Sequence, residues 1–277
     1  MANKKTFTVG RGVLYLVLII ITVATLLPLV WMVSASFKLS TEVFTVPIRW
    51  IPETFHFENY LTIWQKIPFA LFTFNSFKLT IIVTLIQLLT CSFAAYGFTK
   101  CKFPGRDTLF LCYVATIAIP WQIYMLPQYS MMQKMGLVDT HLGYILMQAF
   151  AAFGVFLLRQ FYQSIPNELL EAARIDGAGE VRTFTDVVLP MVTPGIGALA
   201  IFTFINSWND YFLQLIMLNS TKSLTISLGI AKIQAEMSND FGLIMAGAAL
   251  ASIPIIIVFV AFQKYFTQGI AMGAVKG

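Results

Sequence analysis

One short run of polar residues interrupts an otherwise apolar stretch in the last third of the chain. It contains Asn206, Trp208, Asn209 and Asp210, with apolar residues on both sides. Polar groups are costly in lipid, so these side chains are expected to face a protein interior or water. Asn206 and Asn209 carry neutral donors and acceptors, which suit a hydroxyl-rich solute. We take the four residues as candidates for lining a translocation pathway.

The depth of Asp210 leaves two interpretations of that residue open. Counting 1.5 Å per residue from Pro194, Asp210 lies about 24 Å and Asn206 about 18 Å up a hydrocarbon core of roughly 30 Å. Asp210 could therefore reach the outer interface beside Trp208 and Tyr211, as in an aromatic belt. It could equally face the pathway, for which Asn206 and Asn209 are the better candidates.

The sequence carries no recognisable catalytic or metal-binding motif. It has no G-x-x-x-x-G-K-[S/T] phosphate loop, no H-E-x-x-H and no G-x-S-x-G. His56 and His141 lie near predicted span or loop ends, and the three cysteines form no C-x-x-C pair. We therefore expect a non-catalytic chain with no catalytic residues, no metal and no cofactor of its own.

The composition indicates a chain that lies in a lipid bilayer. Hydrophobic residues make up 58% and charged residues only 11%, whereas soluble domains average about 25% charged residues. The basic residues are dispersed rather than clustered. The net charge of +5 is therefore better explained by membrane topology than by binding to nucleic acid.

Six apolar runs are long enough to cross a bilayer, which predicts an all-α integral membrane protein. The first run is too long for the hydrophobic region of a secretory signal. The third contains Pro120 and Pro127, which we expect to break it. The predicted spans are 12–33, 76–98, 108–129, 141–158, 191–213 and 242–262.

The distribution of basic residues orients these spans. The densest basic loop, which contains Lys100, Lys102 and Arg106, follows the second span and marks the cytoplasmic side. Both termini are then cytoplasmic. The predicted regions are the N-terminus with the first helix (1–33), an extracytoplasmic loop (34–75), the transmembrane core (76–262) and a cytoplasmic tail (263–277). Eleven of the 18 lysines and arginines fall inside: Lys4, Lys5, Arg11, Lys100, Lys102, Arg106, Arg159, Arg174, Arg182, Lys264 and Lys276.

The longest charged insert between two apolar runs extends from Ser164 to Pro194. Pro166 can open a short helix, because the amide hydrogen it lacks is unpaired in a first turn anyway. Gly177 can end that helix in the left-handed conformation. The spacing predicts one apolar face, formed by Leu169, Ala172 and Ala173.

A second amphipathic turn is predicted before Pro190. Its apolar residues are Phe184, Val187 and Val188. By pattern alone, the whole insert could be an interfacial helical hairpin that only joins two membrane spans.

The residues of the insert also resemble the E-A-A loop of binding-protein-dependent ABC transporter permeases. The matching positions are Glu171-Ala172-Ala173, Asp176-Gly177-Ala178, Phe184, Leu189-Pro190 and Pro194. Three further stretches resemble the sugar branch of the family, the maltose-type second permease subunit: residues 156–161 with Ile165-Pro166, residues 208–211 and residues 273–277. The resemblance extends over nearly the whole chain.

This resemblance implies a role in ATP-driven import. It implies that the cytoplasmic loop 161–190, between the fourth and fifth spans, couples the chain to an ATPase through Glu171, Ala172, Ala173, Asp176, Gly177 and Ala178. The implied partners are a second homologous permease subunit, two ATPase subunits that bind ATP and Mg, an extracytoplasmic sugar-binding protein and the bilayer. The implied location is a bacterial or archaeal plasma (inner) membrane, and the implied solute is a sugar or oligosaccharide.

Two alternatives remain open from the sequence. An ABC permease for a non-sugar solute would share the E-A-A loop, because only the weaker motifs indicate a sugar. A stand-alone secondary transporter would be expected to have titratable residues deep in its spans, an internal repeat or broken helices. The central spans hold almost no charge, which disfavours the second alternative.

Overall fold

The computed structural model describes residues 9–236 and 240–274, and every regular element in those residues is helical. Lys4, Lys5 and Lys276, which the sequence places in the cytoplasm, lie outside the described residues. The elements are α1 (Val9–Ser36), α2 (Ser40–Val43), α3 (Glu58–Lys66), α4 (Phe69–Lys100), α5 (Arg106–Ala115) followed by a 3-10 turn (Thr116–Ala118), α6 (Trp121–Lys134), α7 (His141–Gln148), α8 (Ala152–Gln163), α9 (Asn167–Ile175), α10 (Glu180–Arg182) followed by a π-helix (Thr183–Val188), α11 (Leu189–Met191), α12 (Thr193–Asn209), α13 (Phe212–Met217), α14 (Ile226–Glu236) and α15 (Phe241–Ala274).

Three single helices are long and apolar enough to cross a membrane: Gly10–Ser36, Phe69–Lys100 and Phe241–Lys264. Three further candidates are bent helix pairs. Helix α5 bends by 100° into α6, α7 by 45° into α8, and the helix at 180–191 by 80° into α12. If each pair crosses once, the described residues contain up to six spans. The all-helical class is therefore confirmed for the described residues and their helix lengths are consistent with a membrane protein, while the six-span topology remains a prediction.

The sharpest bend lies at Pro120. Proline has no amide hydrogen and disfavours the helical conformation in the residue before it. Ile119 accordingly has an extended backbone, with φ −86° and ψ 113°. Pro127, by contrast, is accommodated within α6. The expectation of two breaks is correct for Pro120 and wrong for Pro127.

The fourth predicted span is also broken, although no proline marks the break. Helix α7 ends at Gln148, and Ala151 is extended, with φ −132° and ψ 112°. Side chains of α4 take up the carbonyl groups released there. Gln87 Nε2 donates to Gln148 O at 2.7 Å, and Thr90 Oγ1 donates to Ala149 O at 2.8 Å. The expectation of one continuous helix is wrong, because polar groups of the second span satisfy the broken backbone of the fourth.

Contacts within the chain separate two compact units. The first combines the chain up to Phe69 with Ile230–Ser252, and the second combines Ala70–Gly229 with the chain from Ile253 onward. The second unit has an extensive hydrophobic core in which α4, α8 and the 164–194 insert meet. Its buried members are Cys91, Ala95, Tyr96, Phe110, Val155, Leu158, Phe161, Tyr162, Ile165, Leu170, Phe184, Val188, Val192 and Leu199.

Buried polar side chains organise the first unit. Lys38, only 1% exposed, donates to the carbonyl of Arg49, and its ammonium lies 4.3 Å from the centre of the Trp31 ring. Asp240 accepts a hydrogen bond from Ser40 Oγ at 2.6 Å. These contacts order a segment for which the sequence predicts only a mixed, partly helical loop.

The connection between α13 and α14 is fastened to Asp139, which precedes α7. One carboxylate oxygen of Asp139 accepts from Asn219 N at 2.8 Å, from Ser220 N at 3.0 Å and from Ser223 Oγ. Burial raises the pKa of Asp139, but the hydrogen bonds from Ser223, Ser220 and Asn219 outweigh it and lower that pKa well below its usual range.

The Asp139→Asn variant should reveal this charge through the pH dependence of stability. The pKa of Asp139 is lower in the folded chain than in the unfolded chain, where it is about 3.9. The ionised carboxylate therefore stabilises the fold above about pH 4, and the contribution is lost as the pH falls through the folded value. We expect the wild type to unfold at a higher temperature than the variant at pH 7, with a difference that shrinks below about pH 4. A difference that stays constant from pH 7 to pH 3, measured by tryptophan fluorescence in detergent, would contradict this role.

Candidate functional site

The first half of the 164–194 insert folds as a short helix with a tight glycine cap. Helix α9 occupies Asn167–Ile175, directly after the proline predicted to open it. At its other end Gly177 has φ +81°. Gly177 N donates to Arg174 O at 3.0 Å, and Ala178 N donates to Ala173 O at 2.9 Å. These two bonds form a Schellman cap, so the predicted helix and its glycine stop are confirmed.

Replacing Gly177 with alanine should strain this cap. A Cβ at Gly177 would have no atom within 4 Å, but the left-handed backbone costs an alanine about 1 kcal/mol. We expect Gly177→Ala to lower the unfolding midpoint of the purified chain by about 2–4 °C. Gly179→Ala is the matched control, because Gly179 is equally uncrowded and has φ −72°. An equal loss in both variants would show that the glycine conformation is irrelevant.

Leu170 anchors α9 to the core of the second unit. It is 3% exposed and belongs to the same hydrophobic cluster as Phe184 and Val188. The predicted apolar face of Leu169, Ala172 and Ala173 is not the buried one, since Leu169 is 40% exposed, Ala172 is exposed and Ala173 is half-buried. The two leucines are adjacent, and a nine-residue helix offers too few turns for periodicity to choose between them. Packing in the cluster that contains Phe184 and Val188 selects Leu170, whereas Val187, the third predicted apolar residue of the following segment, is half-buried.

Polar side chains tie both ends of α9 to the last turns of α4. On the side before α9, Lys100 Nζ donates to Ile165 O at 2.6 Å. On the side after it, Glu180 accepts from the Arg174 guanidinium at 2.7 Å through Oε1 and from the Tyr96 hydroxyl at 3.0 Å through Oε2. Tyr96 and Lys100 are one helical turn apart, so a single face of α4 holds both ends of the short helix.

The six residues assigned by resemblance to an ATPase contact lie at the surface of this insert. Four are exposed (Glu171, Ala172, Asp176 and Gly177) and two are half-buried (Ala173 and Ala178). Ile175 and Val181 extend the same region with apolar area, being 86% and 72% exposed. Exposed apolar groups beside charged ones are typical of a surface that binds another protein.

The second half of the insert leads into α12 through an 80° bend. It includes the π-helix Thr183–Val188, a rare element that often occurs at functional sites. The predicted fifth span, 191–213, is shorter in the structure. Helix α12 begins at Thr193, with Pro194 in its first turn, and ends at Asn209 because Asp210 is extended, with φ −64° and ψ 119°.

The pathway candidates lie in different surroundings. Trp208 is a core residue, 2% exposed, whose ring lies 4.8 Å from that of Phe77 and stacks on Phe204 at 6.0 Å. This burial argues against an aromatic belt at Trp208. Asn206 and Asn209, in contrast, are exposed.

Asp210 faces the interior of the second unit. Its Oδ2 accepts from the Tyr144 hydroxyl and from Gln148 Nε2, each at 3.0 Å, and its Oδ1 accepts from Leu213 N at 3.3 Å. Gln214 extends the network by donating to the Tyr144 hydroxyl at 3.4 Å. Asp210 is therefore bonded within the second unit, and its place on a translocation pathway stays a prediction. Tyr144 and Gln148 were missed, although two polar residues one turn apart in an apolar span are a detectable signal.

A cavity of about 200 Å³ lies between α4, the break after α7, and α12. Three amide side chains line it, those of Gln87, Gln148 and Asn206, together with the rings of Phe153 and Phe202. Among the pathway candidates, Asn206 is the one that borders this cavity. Gln87 and Gln148 are further lining residues that sequence reasoning did not single out.

No metal centre is formed by the part of the chain that the structure describes. There, no group of three His, Cys, Asp or Glu side chains is arranged to hold an ion. The three cysteines are unlinked, and Cys91 is buried with its Sγ 3.4 Å from Ala151 O.

Known proteins resemble this chain in both sequence and fold. A family model described as "Binding-protein-dependent transport system inner membrane component" matches residues 1–272. The arabinooligosaccharides transport system permease protein AraQ of Halalkalibacterium halodurans is 33% identical over 99% of this chain and 100% of its own length. The sn-glycerol-3-phosphate transport system permease protein UgpE of Yersinia enterocolitica is 32% identical over 92% of this chain and 94% of its own. A solved chain from a bacterial ABC transporter involved in the import of the acidic polysaccharide alginate shares the fold, with a TM-score of 0.81 at 23% identity, covering 96% of this chain and 99% of that chain.

Proposed function

Because this chain belongs to the family of binding-protein-dependent transport system inner membrane components, we propose that it is a permease subunit of an ABC importer for a sugar or oligosaccharide. Similarity to a permease named for arabinooligosaccharides and the sugar-branch motifs in the sequence support this solute class. The chain itself is non-catalytic. ATP and Mg bind to a separate ATPase.

The proposed assembly contains this chain, a second homologous permease, two ATPase subunits and an extracytoplasmic sugar-binding protein. The chain crosses the plasma membrane of a bacterium or archaeon six times, with both termini in the cytoplasm. The basic loop after α4 and the arginines of the 164–194 insert support a cytoplasmic position for α9. Helix α9 then faces the compartment that contains ATP.

The observation that carries this proposal is the combination of an exposed outer surface on α9 with rigid attachment behind it. Glu171 and Ala172 are open to a partner, while Leu170 is buried in the core and Tyr96 and Lys100 hold the flanking segments. A displacement of α9 by a closing ATPase would therefore move α4 with it. Alternating access by rigid-body motion of packed helices requires such a connection.

A permease for a non-sugar solute is the second candidate. The relative named for sn-glycerol-3-phosphate favours it, because its identity to this chain is nearly that of the relative named for arabinooligosaccharides. The two candidates share the α9 surface and differ only in what the pathway accepts.

Purification of the tagged chain from its own host in mild detergent tests the assembly. We expect an ATPase, a second permease and a solute-binding protein to co-purify. The assembly is then reconstituted in proteoliposomes and supplied with arabinotriose, lactose, sn-glycerol-3-phosphate and trigalacturonate. ATP-dependent uptake of a neutral sugar supports the first candidate, and uptake of glycerol phosphate alone supports the second. Recovery of the chain alone, with uptake that does not require ATP, would overturn both.

A further inference from the structure

We propose that the cavity between α4, the α7–α8 break and α12 is a subsite for one neutral sugar ring, and that it disfavours anionic solutes. This inference rests on the proposed function and goes beyond it by naming the groups that contact the solute. The groups are Asn206, Gln148 and the ring pair Phe153 and Phe202.

The position of the cavity fits a translocation pathway. Gln87 stands near the middle of the 32-residue helix α4, and the cavity adjoins the non-helical segment at Ala151. Non-helical backbone at membrane depth is tolerated only where it is buried in protein or lines a water-filled cavity. The break in the fourth span, whose freed carbonyls bind donors of α4, is therefore consistent with a cavity that solute and water reach.

Asn206 is available to bind a solute. Its side chain is exposed and borders the cavity, and its amide forms no hydrogen bond within residues 9–236 and 240–274. Gln87 is already committed, since Nε2 donates to Gln148 O at 2.7 Å and Oε1 accepts from Thr203 Oγ1 at 3.1 Å. Gln148 uses Nε2 to bind Asp210. Its orientation is thereby fixed, with the amide oxygen as the group left to accept from a hydroxyl.

Two aromatic rings complete the wall. The rings of Phe153 and Phe202 lie 5.4 Å apart at an interplanar angle of 68°. They present apolar surface to the same cavity as the amides of Gln148 and Asn206. Apolar walls with a few fixed polar groups are the usual construction of a small-molecule site. The C–H faces and hydroxyl edges of a sugar ring match both kinds of surface.

Size and charge restrict the solute further. A volume of about 200 Å³ is below the roughly 300–1,000 Å³ of drug-sized pockets, so the cavity suits one ring rather than a whole oligosaccharide. No lysine, arginine or histidine is among the residues that line it. The carboxylate of Asp210 does not line the cavity but accepts a hydrogen bond from Gln148, which does. An anionic group would meet no opposite charge there, and a charge without a partner is costly to bury.

The Asn206→Leu variant tests the subsite in the complete transporter, reconstituted with its ATPase, second permease and solute-binding protein. The probe is whichever compound of the four-solute panel the wild type imports fastest. We expect the uptake rate at saturating solute to fall roughly 3- to 10-fold, the effect of losing one or two hydrogen bonds. The half-saturating concentration should remain that of the wild type, because the binding protein captures the solute before it reaches the cavity. Gln133→Leu, an exposed glutamine of α6 outside the cavity, is the control and should transport normally.

A second variant, Asn206→Asp, keeps the size and adds a negative charge. Its uptake of a neutral sugar should fall by a similar factor or more, and its assembly with the other subunits, measured by gel filtration, should match the wild type. Undiminished uptake in both Asn206 variants would overturn the subsite, as would a wild type that prefers trigalacturonate or glycerol phosphate. Those results would leave the importer function intact. Absence of ATP-driven uptake of every solute in the wild type would instead refute the proposed function itself.

Discussion

Glu171→Lys is expected to abolish the recovery of the ATPase with this chain and to reduce ATP-driven uptake roughly 30- to 1,000-fold. Loss of one partner of a desolvated charged pair at an interface has effects of that size. Glu171 is exposed on α9, so the change reverses a charge at the proposed contact without disturbing the core. The measurement is the amount of ATPase that co-purifies, together with uptake in proteoliposomes.

Glu53→Lys is the control for this charge reversal. Glu53 is also exposed, its side chain 70% accessible, but it lies in the loop predicted to be extracytoplasmic. The control should retain the ATPase at the wild-type level. Normal ATPase recovery and uptake with Glu171→Lys would remove α9 from the coupling contact.

Asp210→Leu is expected to destabilise the second unit by about 3–5 kcal/mol. The substitution removes the acceptor for Tyr144, which is fully buried, and for Gln148. A buried donor without a partner destabilises the fold by the full free energy of its desolvation, and hydrogen bonds to a carboxylate are stronger than those between neutral groups. It also removes the cap on Leu213 N at the start of α13.

The expected readout is a fall of about 10 °C in the unfolding midpoint in detergent. Asp210→Asn should lose about half as much, because its amide oxygen can still accept from Tyr144 and Gln148. Glu53→Leu removes an exposed carboxylate and should change the midpoint by less than about 2 °C. Asp210→Leu with the stability of the control would mean that the network is dispensable.

Features with a local physical cause could be predicted from the sequence. Pro166 and Gly177 delimit α9 because proline and glycine act on the backbone at their own positions. The break at Pro120 has the same origin. The long apolar runs that form α1, α4 and α15 were also identified, although each helix extends beyond its predicted span.

Features that depend on distant partners could not be predicted. The break between α7 and α8 has no proline or glycine at its centre, and it persists because Gln87 and Thr90, about 60 residues earlier, bind the freed carbonyls. The choice of Leu170 over Leu169 depends on packing in the buried cluster that also contains Phe184. Asn206 was identified as a polar group in an apolar span, but the cavity beside it is formed by four helices, α4, α7, α8 and α12.

The presence or absence of broken helices does not distinguish this chain from a stand-alone secondary transporter. They were taken as a feature of that alternative, and the described part of the chain contains three bent pairs. The family match decides the question instead, since the model for binding-protein-dependent components extends over residues 1–272. A bent span is therefore compatible with an ATP-driven permease when neighbouring side chains satisfy its backbone.

The break in the fourth span also bears on how the chain enters the membrane during synthesis. Helices α7 and α8 have 8 and 12 residues, or about 12 Å and 18 Å of length, and neither alone matches a hydrocarbon core of roughly 30 Å. The carbonyls freed at the break between them are bonded by donors on α4, which is synthesised first. Membrane insertion of the 141–163 segment should therefore require that α4 has already been inserted. A truncated chain that begins after α4 should leave the 141–163 segment poorly inserted by the translocon.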